Sequence, residues 1–206
     1  WGFVNKSGKA VIEAKYEEVT SFTEYGVAAV RVDGKWGFID TKGALVVPAE
    51  YEAVEAFSQG AAMVSKDGKF FWVGPDGKAI SEQVYDSVSL FDQSGIARVA
   101  LGDKVGYVNR GGKVVLAPEY DAVGEFKLGI ALVEKEGLKG FVDINGGKVT
   151  DIKYQEVGEW IGGIALVKAE GLYGYLDLKY DEIIPVIYQE IGTFAEGIAW
   201  VKLDGK

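Results

Sequence analysis

Asn5, Asp40, Asn109, Asp143 and Asp177 recur at near-constant spacing, each at the head of a turn-forming stretch, and are the first residues here whose chemistry invites a reading. A column of side-chain oxygens suggests calcium. Ca²⁺, however, takes about six to eight oxygens, most of them from carboxylates close together in one loop. Each turn here supplies one such side chain, with a basic residue close behind at Lys6, Lys42 and Arg110. These residues are expected to shape their own turns, and no metal site is assigned. The acidic pairs Glu17–Glu18 and Asp181–Glu182 raise acid–base hydrolysis, which needs two carboxyl groups around one cleft. Adjacent strand residues point to opposite faces, so both pairs are expected on solvated surface. The chain has no histidine and no cysteine. That removes the commonest general base and transition-metal ligand, together with disulfides and thiolate sites. We therefore expect no catalytic residues and no cofactor, and the chain reads as a non-enzyme.

The aromatic residues, 5 Trp, 11 Tyr and 10 Phe, are the remaining chemistry, and an internal repeat positions them. Tyr16, Tyr51, Tyr85, Tyr120, Tyr154 and Tyr188 follow one another at steps of 35, 34, 35, 34 and 34 residues. Six residues after each tyrosine stands an aromatic: Phe22, Phe57, Phe91, Phe126, Trp160 and Phe194. A glycine follows, then an alanine two residues later, as in Gly26 and Ala28 or Gly60 and Ala62. The one-residue slippage lies between the aromatic and the glycine, which marks a loop that tolerates insertion. The units run approximately 1–35, 36–69, 70–104, 105–138, 139–172 and 173–206, and together form a single repeat domain of 206 residues.

Each unit has strand periodicity. In Gly129-Ile130-Ala131-Leu132-Val133-Glu134 alternate residues face opposite sides, and a hairpin turn follows at Glu136-Gly137. Asp33-Gly34 between apolar runs is the same signal, because the glycine takes the positive φ that two-residue hairpin turns need. The next strand, Trp36 to Ile39, carries an aromatic at its third position in every copy: Phe3, Phe38, Trp72, Tyr107, Phe141 and Tyr175. Its second position is glycine in five copies and Phe71 in the third. A glycine there predicts that something packs directly on the backbone. An Asx-to-glycine type I turn, a third strand and an irregular connection of about ten residues lead into the next unit. Such a meander is marginal alone, and stacking copies completes its core. Two architectures satisfy this: an open β-solenoid or superhelical array, which we expect, and a closed six-bladed propeller-like ring.

Trp36-Gly37-Phe38-Ile39-Asp40, the glycine turn after it, the Tyr-x-x-Val segment and the Gly-x-Ala-x-Val strand resemble the bacterial WG-repeat family, also called the WG-containing or KWG repeat. The resemblance covers the whole chain in six copies. Lys35 to Gly68 is nearest to the pattern, and Phe70-Phe71 in the third copy departs most. It implies an all-β array in bacteria, in variable copy number and often beside other domains, with no catalytic residues established. Variable copy number favours the open form.

Composition limits the partner. With 22 Lys and Arg against 31 Asp and Glu the net charge is −9, which disfavours nucleic acid and anionic membranes. The longest apolar run, Ile183 to Tyr188, is broken by Pro185 and falls far short of the roughly 20 residues a spanning helix needs, so no membrane insertion is expected. The least constrained strand position holds Ala29, Met63, Arg98, Leu132, Leu166 and Trp200, on the face opposite the near-fixed alanine and valine. A variable stripe on a fixed scaffold is what a recognition surface looks like. The alternative is a second buried layer between units, which Ile130 and Ile164 beside it support. Phe71 either repacks locally or protrudes. The reading is a binding or scaffolding module for protein, or for copies of itself through end segments Trp1–Val4 and Leu203–Lys206. Carbohydrate is the competing partner if at least two of Trp72, Trp160 and Trp200 are exposed and coplanar.

Overall fold

The computed structural model describes residues 1–81 and 83–206; every regular element among them is a β-strand. The chain forms two compact units, Trp1–Val114 and Val115–Lys206. In the first, β1 (Phe3–Val4) pairs with β2 (Ala10–Ile12). β3 (Glu18–Val19), β4 (Val27–Val32), β5 (Lys35–Asp40) and β6 (Leu45–Tyr51) make a four-stranded antiparallel sheet. β7 (Ala53–Val54), β8 (Ala62–Lys66) and β9 (Lys69–Val73) form the next, followed by β10 (Ser87–Val88), β11 (Ile96–Leu101) and β12 (Lys104–Asn109). β13 (Val114–Tyr120) begins at the unit boundary. In the second unit the sheets are β14 (Ala122–Val123), β15 (Ile130–Lys135) and β16 (Leu138–Asp143); then β17 (Glu156–Ile161), β18 (Ile164–Ala169), β19 (Leu172–Asp177) and β20 (Glu182–Tyr188); and finally β21 (Glu190–Ile191) with β22 (Val201–Lys202). The protein is an all-β tandem-repeat array.

The sheets are phased differently from the sequence units. The short strand after each repeat tyrosine pairs forward, Val19 with Val30 and Val54 with Val64, so the irregular connection supplies the first strand of the next sheet. Its length variation is a choice of turn. Gln59-Gly60, Leu128-Gly129 and Glu196-Gly197 are two-residue turns with positive φ at both positions, whereas the two longer copies insert Thr23 to Gly26 and Asp92 to Gly95, closed by Gly26 N–H to Thr23 O and Gly95 N–H to Asp92 O. The central hairpins close with a positive-φ pair such as Asp33-Gly34, Glu136-Gly137 or Glu170-Gly171, the conformation whose twist matches the flanking strands. The residue after the repeat tyrosine accepts from that turn: Glu17 from Gly34 N–H at 3.0 Å, Asp86 from Gly102 at 2.7 Å, Gln155 from Gly171 at 3.0 Å.

Successive strand residues feed two different cores. Ala28 and Val30 of β4 pack with Ile12 and Tyr16 of the preceding segment, while Val27 and Ala29 pack with Ala62, Val64 and Val73 of the following sheet. The other face of β8 and β9, through Ala61 and Trp72, packs with Ala97, Val99 and Val108. The β3–β6 and β7–β9 sheets are thus slices covered on both sides by neighbouring sheets, a dependence that leaves a single repeat marginal alone.

Glycine in the WG strand meets the third strand. A Cβ on Gly37 would come within 2.7 Å of the Val47 carbonyl oxygen, and one on Gly140 within 2.8 Å of that of Asp151. Phe71 is accommodated because the described residues of the segment after β9 do not form a regular strand and meet it through bridges at Phe70–Tyr85 and Val73–Ala79 and a hydrogen bond from Ile80 N–H to the Trp72 carbonyl. The third strand expected in every unit is likewise reduced to bridges at Lys139–Tyr154 and Val142–Lys148. In both copies the buried aliphatic of the strand, Val47 or Leu116 elsewhere, is replaced by Ser81 or Thr150. The place before it stays apolar, Ile80 and Val149 as at Val46 and Val115, so what these copies lose is the aliphatic residue that the regular strand buries.

The type I turn glycine makes the contact between slices. Gly77 has φ +80°, and a Cβ there would overlap the Val46 carbonyl oxygen. Gly60 has φ +84° with open space around it. We expect Gly77→Ala to cost about 3 kcal/mol and Gly60→Ala about 1 kcal/mol, since only the first adds overlap to the left-handed penalty. Leu128, fully exposed at φ 50°, gains nothing from its side chain, so Leu128→Gly should stabilise by about 1 kcal/mol. Urea unfolding of the four proteins checks the order.

Candidate functional site

The variable strand position lies between slices. Met63 faces Trp72 across the hairpin, Leu132 faces Phe141 and Leu166 faces Tyr175. Met63 and Leu132 pack against the buried clusters and Ala29 is itself buried. Arg98, opposite Tyr107, is exposed, and Trp200 is 62% exposed. The six residues are therefore one per slice, with Ala29 buried, Met63, Leu132 and Leu166 half-buried, and Arg98 and Trp200 exposed. Phe71 is half-buried and edge-on to Tyr51, ring centroids 5.9 Å apart, so it repacks the local core. Trp72 is buried and Trp160 half-buried, leaving Trp200 as the most exposed of the three tryptophans considered for sugar stacking.

A recurring cross-strand pair surrounds this position, and since Met63 lies opposite Glu55 and Arg98 opposite Ser89, partner size does not simply follow residue size. The N–H groups of Thr20, Glu55, Ser89, Gly124 and Gly192 donate to the carbonyls of Ala29, Met63, Arg98, Leu132 and Trp200, and Gly158 lies against the Leu166 carbonyl. Opposite Ala29 and Arg98 the partner has a hydroxyl that accepts their N–H, Thr20 Oγ1 at 2.9 Å and Ser89 Oγ at 2.9 Å. Opposite Leu132, Leu166 and Trp200 it is glycine, and a Cβ on Gly192 would strike the Trp200 indole. The sequence held this signal, but it emerges only when the two positions are read as a pair across the strands.

The third-position aromatic of one slice meets the aromatic six residues after the next tyrosine. Phe3 and Phe22 lie 4.7 Å apart between ring centroids, Phe38 and Phe57 4.8 Å, Trp72 and Phe91 5.0 Å, and Tyr175 and Phe194 5.3 Å. Phe141 and Trp160 are spread to 6.2 Å by a third ring, Tyr180, 4.6 Å from Phe141 and 5.4 Å from Trp160. Tyr180 stands where other copies have the turn glycine, and takes φ 68°. Its ring lines a cleft with Ile130, Leu132, Phe141 and Trp160. The corresponding cleft one repeat later, about 320 Å³, is lined by Ile161, Ile164, Leu166, Tyr175 and Phe194 and holds no such ring.

The acidic residues are engaged locally. Asp40 Oδ1 accepts from the N–H groups of Lys42 at 2.8 Å and Ala44 at 2.9 Å, and Asn5, Asn109, Asp143 and Asp177 bond in the same way. Arg31 lies between Glu17 and Glu18. Glu182 accepts from Tyr154 Oη and Lys153 Nζ, both at 2.8 Å. Burial pushes its carboxyl up, but those two donors outweigh it and hold it below the usual range. Burial, then the hydrogen bond to Glu182, raises the Tyr154 phenol. The equivalent Tyr85 is wholly buried with no partner for its hydroxyl, because Val114 occupies the place of Glu182.

A family model described as a WG containing repeat matches residues 1–36, 36–70, 106–138, 140–173 and 173–206; the copy carrying Phe71 is passed over. No curated protein matches. Among solved structures, Hsv2 of Kluyveromyces lactis is 11% identical over 82% of this chain and 64% of its own, at TM-score 0.37. This chain thus spans less than two thirds of that protein's length. A eukaryotic initiation factor is 12% identical over 96% of this chain and 62% of its own, at TM-score 0.41. The extracellular domain of the one component system BT4673 of B. thetaiotaomicron is 12% identical over 86% and 31%, at TM-score 0.31.

One tyrosine position yields opposite expectations. Tyr154→Phe removes a hydrogen bond to a carboxylate and should cost about 1–2 kcal/mol, whereas Tyr85→Phe removes an unpartnered hydroxyl and should be neutral or stabilising. Glu182 is ionised more readily folded than unfolded, so its contribution is complete above the unfolded value near 4.3 and lost as pH falls through the lower folded value. Urea unfolding at pH 7 should show the Tyr154→Phe deficit, and the deficit should shrink below about pH 4.

Proposed function

The chain belongs to the WG containing repeat family, and from that premise we propose that it is a non-catalytic binding and scaffolding module whose partners are proteins, including further copies of itself. The observation that carries this reading is the state of the last sheet. Alanine and valine of the repeat strand are buried in other slices, as at Ala97, Val99, Ala131 and Val133. Their equivalents in the last sheet are less covered, with Ala199 half-buried and Val201 40% exposed, and beside them Ile198 is 75% and Trp200 62% exposed. At β1, Trp1 is 70% and Val4 67% exposed. Residues 199–206 followed by 1–4 reproduce the hairpin pattern of 28–39, so the two edges are complementary in register and in apolar character.

An exposed strand edge with apolar flanks templates pairing with another chain. Backbone hydrogen bonds would give the affinity and the tryptophans the anchoring area. A carbohydrate platform has less in its favour, since Trp200 alone is broadly exposed among the tryptophans it needs.

Light scattering over a range of concentrations tests the self-association version. The mass should rise above the 22.2 kDa of one chain as concentration increases. Trp1→Ala, and removal of residues 1–4, should lower it at every concentration. A mass that stays at one chain, or one indifferent to both changes, removes this version.

A further inference from the structure

We infer that the cleft walled by Phe141, Trp160 and Tyr180 is a binding site for a free aromatic α-amino acid. It lies between the β14–β16 and β17–β20 sheets, wholly inside the second unit, and its volume of about 370 Å³ falls within the range of small-molecule sites. Three kinds of group meet there: aromatic rings, aliphatic side chains and one pair of opposite charges.

The rings form a corner, and that shape selects the ligand. Tyr180 lies 4.6 Å from Phe141 at 51° and 5.4 Å from Trp160 at 81°, and Phe141 and Trp160 lie 6.2 Å apart at 57°. The rings touch one another, so a ligand rests on the corner they make with Ile130 and Leu132, not between them. Walls set at such angles offer an incoming aromatic ring stacked and edge-on contacts together, whereas a sugar ring stacks on a flat platform.

The charges select the rest of the molecule. Glu125 and Lys127 also line the cleft, both exposed at its mouth, and neither forms an ion pair with a described residue. No other copy carries both charges; Ala56 and Ser58 stand there in one, Glu159 and Ile161 in another. An ammonium and a carboxylate on one carbon atom can meet the two at once through charge-assisted hydrogen bonds, while the side chain of the same molecule lies against the rings. A residue inside a peptide has lost both charges, and a simple amine or acid keeps only one. Gly124 leaves the approach open, although the fold does not need a glycine there. A Cβ would meet only Leu132, at 3.5 Å, an ordinary contact, and the equivalent residues Thr20, Glu55 and Ser89 all carry side chains. No strand pairing is involved, so this site is separate from the end edges.

The test titrates L-phenylalanine into the isotope-labelled full chain and follows it by amide NMR. We expect saturable shifts centred on Leu132, Trp160 and Tyr180 with a Kd on the order of 1 mM, as suits so small a ligand. Phenethylamine and 3-phenylpropanoate, each lacking one charge, should bind about threefold more weakly, the scale of an ion pair open to solvent, and N-acetylphenylalanine amide, lacking both, more weakly still. Two variants install what another copy carries, Lys127→Ser and Glu125→Ala, and both change only the exposed mouth. Lys127→Ser should abolish the preference for phenylalanine over phenethylamine, and Glu125→Ala the preference over 3-phenylpropanoate; such ratios do not move with a merely structural role. The Trp1→Ala protein should bind phenylalanine as the parent does, so loss of self-association leaves this site standing. Absent shifts at the cleft, equal affinity for the four ligands, preferences that survive both substitutions, or stronger binding of N-acetylglucosamine at the same amides overturn the proposal.

Discussion

Two-sided burial is the constraint on which the rest of this structure depends. Because the strand residues at 27 to 30 alternate between two cores, neither face of an inner hairpin can be given over to water. The face toward the preceding slice carries small residues, Ala28, Ala62, Ala97, Ala131 and Ala165. The face toward the following slice carries the aromatic of the WG strand and its variable neighbour. Small against large lets slices approach closely, and the close approach fixes the glycines: Gly37 under a third strand and Gly77 against the carbonyl of the slice before it. The recurring Trp-Gly-aromatic pattern is in this sense a packing pattern.

The repeat, its turns and the strand order within a unit were legible because they rest on local chemistry: Asx at the turn head, glycine at positive φ, and a period-2 apolar pattern. The reason for the WG glycine was legible too, since a glycine inside a strand implies close approach. Less legible was the phasing of the sheets, because the short Ala53–Val54 strand is too brief to reveal which neighbour it pairs with. Two third strands were read as regular and are not. There the mark is slight, Ser81 and Thr150 at the place of Val47 and Leu116. The variable stripe was recognised as a position, but its exposure depends on which slices are covered, which periodicity does not encode. The role of Glu17 as a partner of the Gly34 turn was hidden by its appearance as half of an acidic pair.

Polar contacts divide into repeated and individual ones. The turn-to-acid bonds at Gly34, Gly102 and Gly171 recur because the geometry recurs. The Tyr154–Glu182–Lys153 group occurs at one slice, where the third strand has left the regular path and Glu182 reaches back to the tyrosine. Tyr85 has the same buried place without the carboxylate, and its hydroxyl is left without a partner. Repetition therefore supplies the scaffold, and departures from it are compensated one by one.

Those departures fall where a slice is loosened. Where the 148–154 segment gives up regular pairing, the following turn exchanges its glycine for Tyr180, and the ring enters the space between Phe141 and Trp160. The backbone strain at Tyr180 is tolerated because the aromatic walls on either side belong to the conserved ladder of every slice and need no new design.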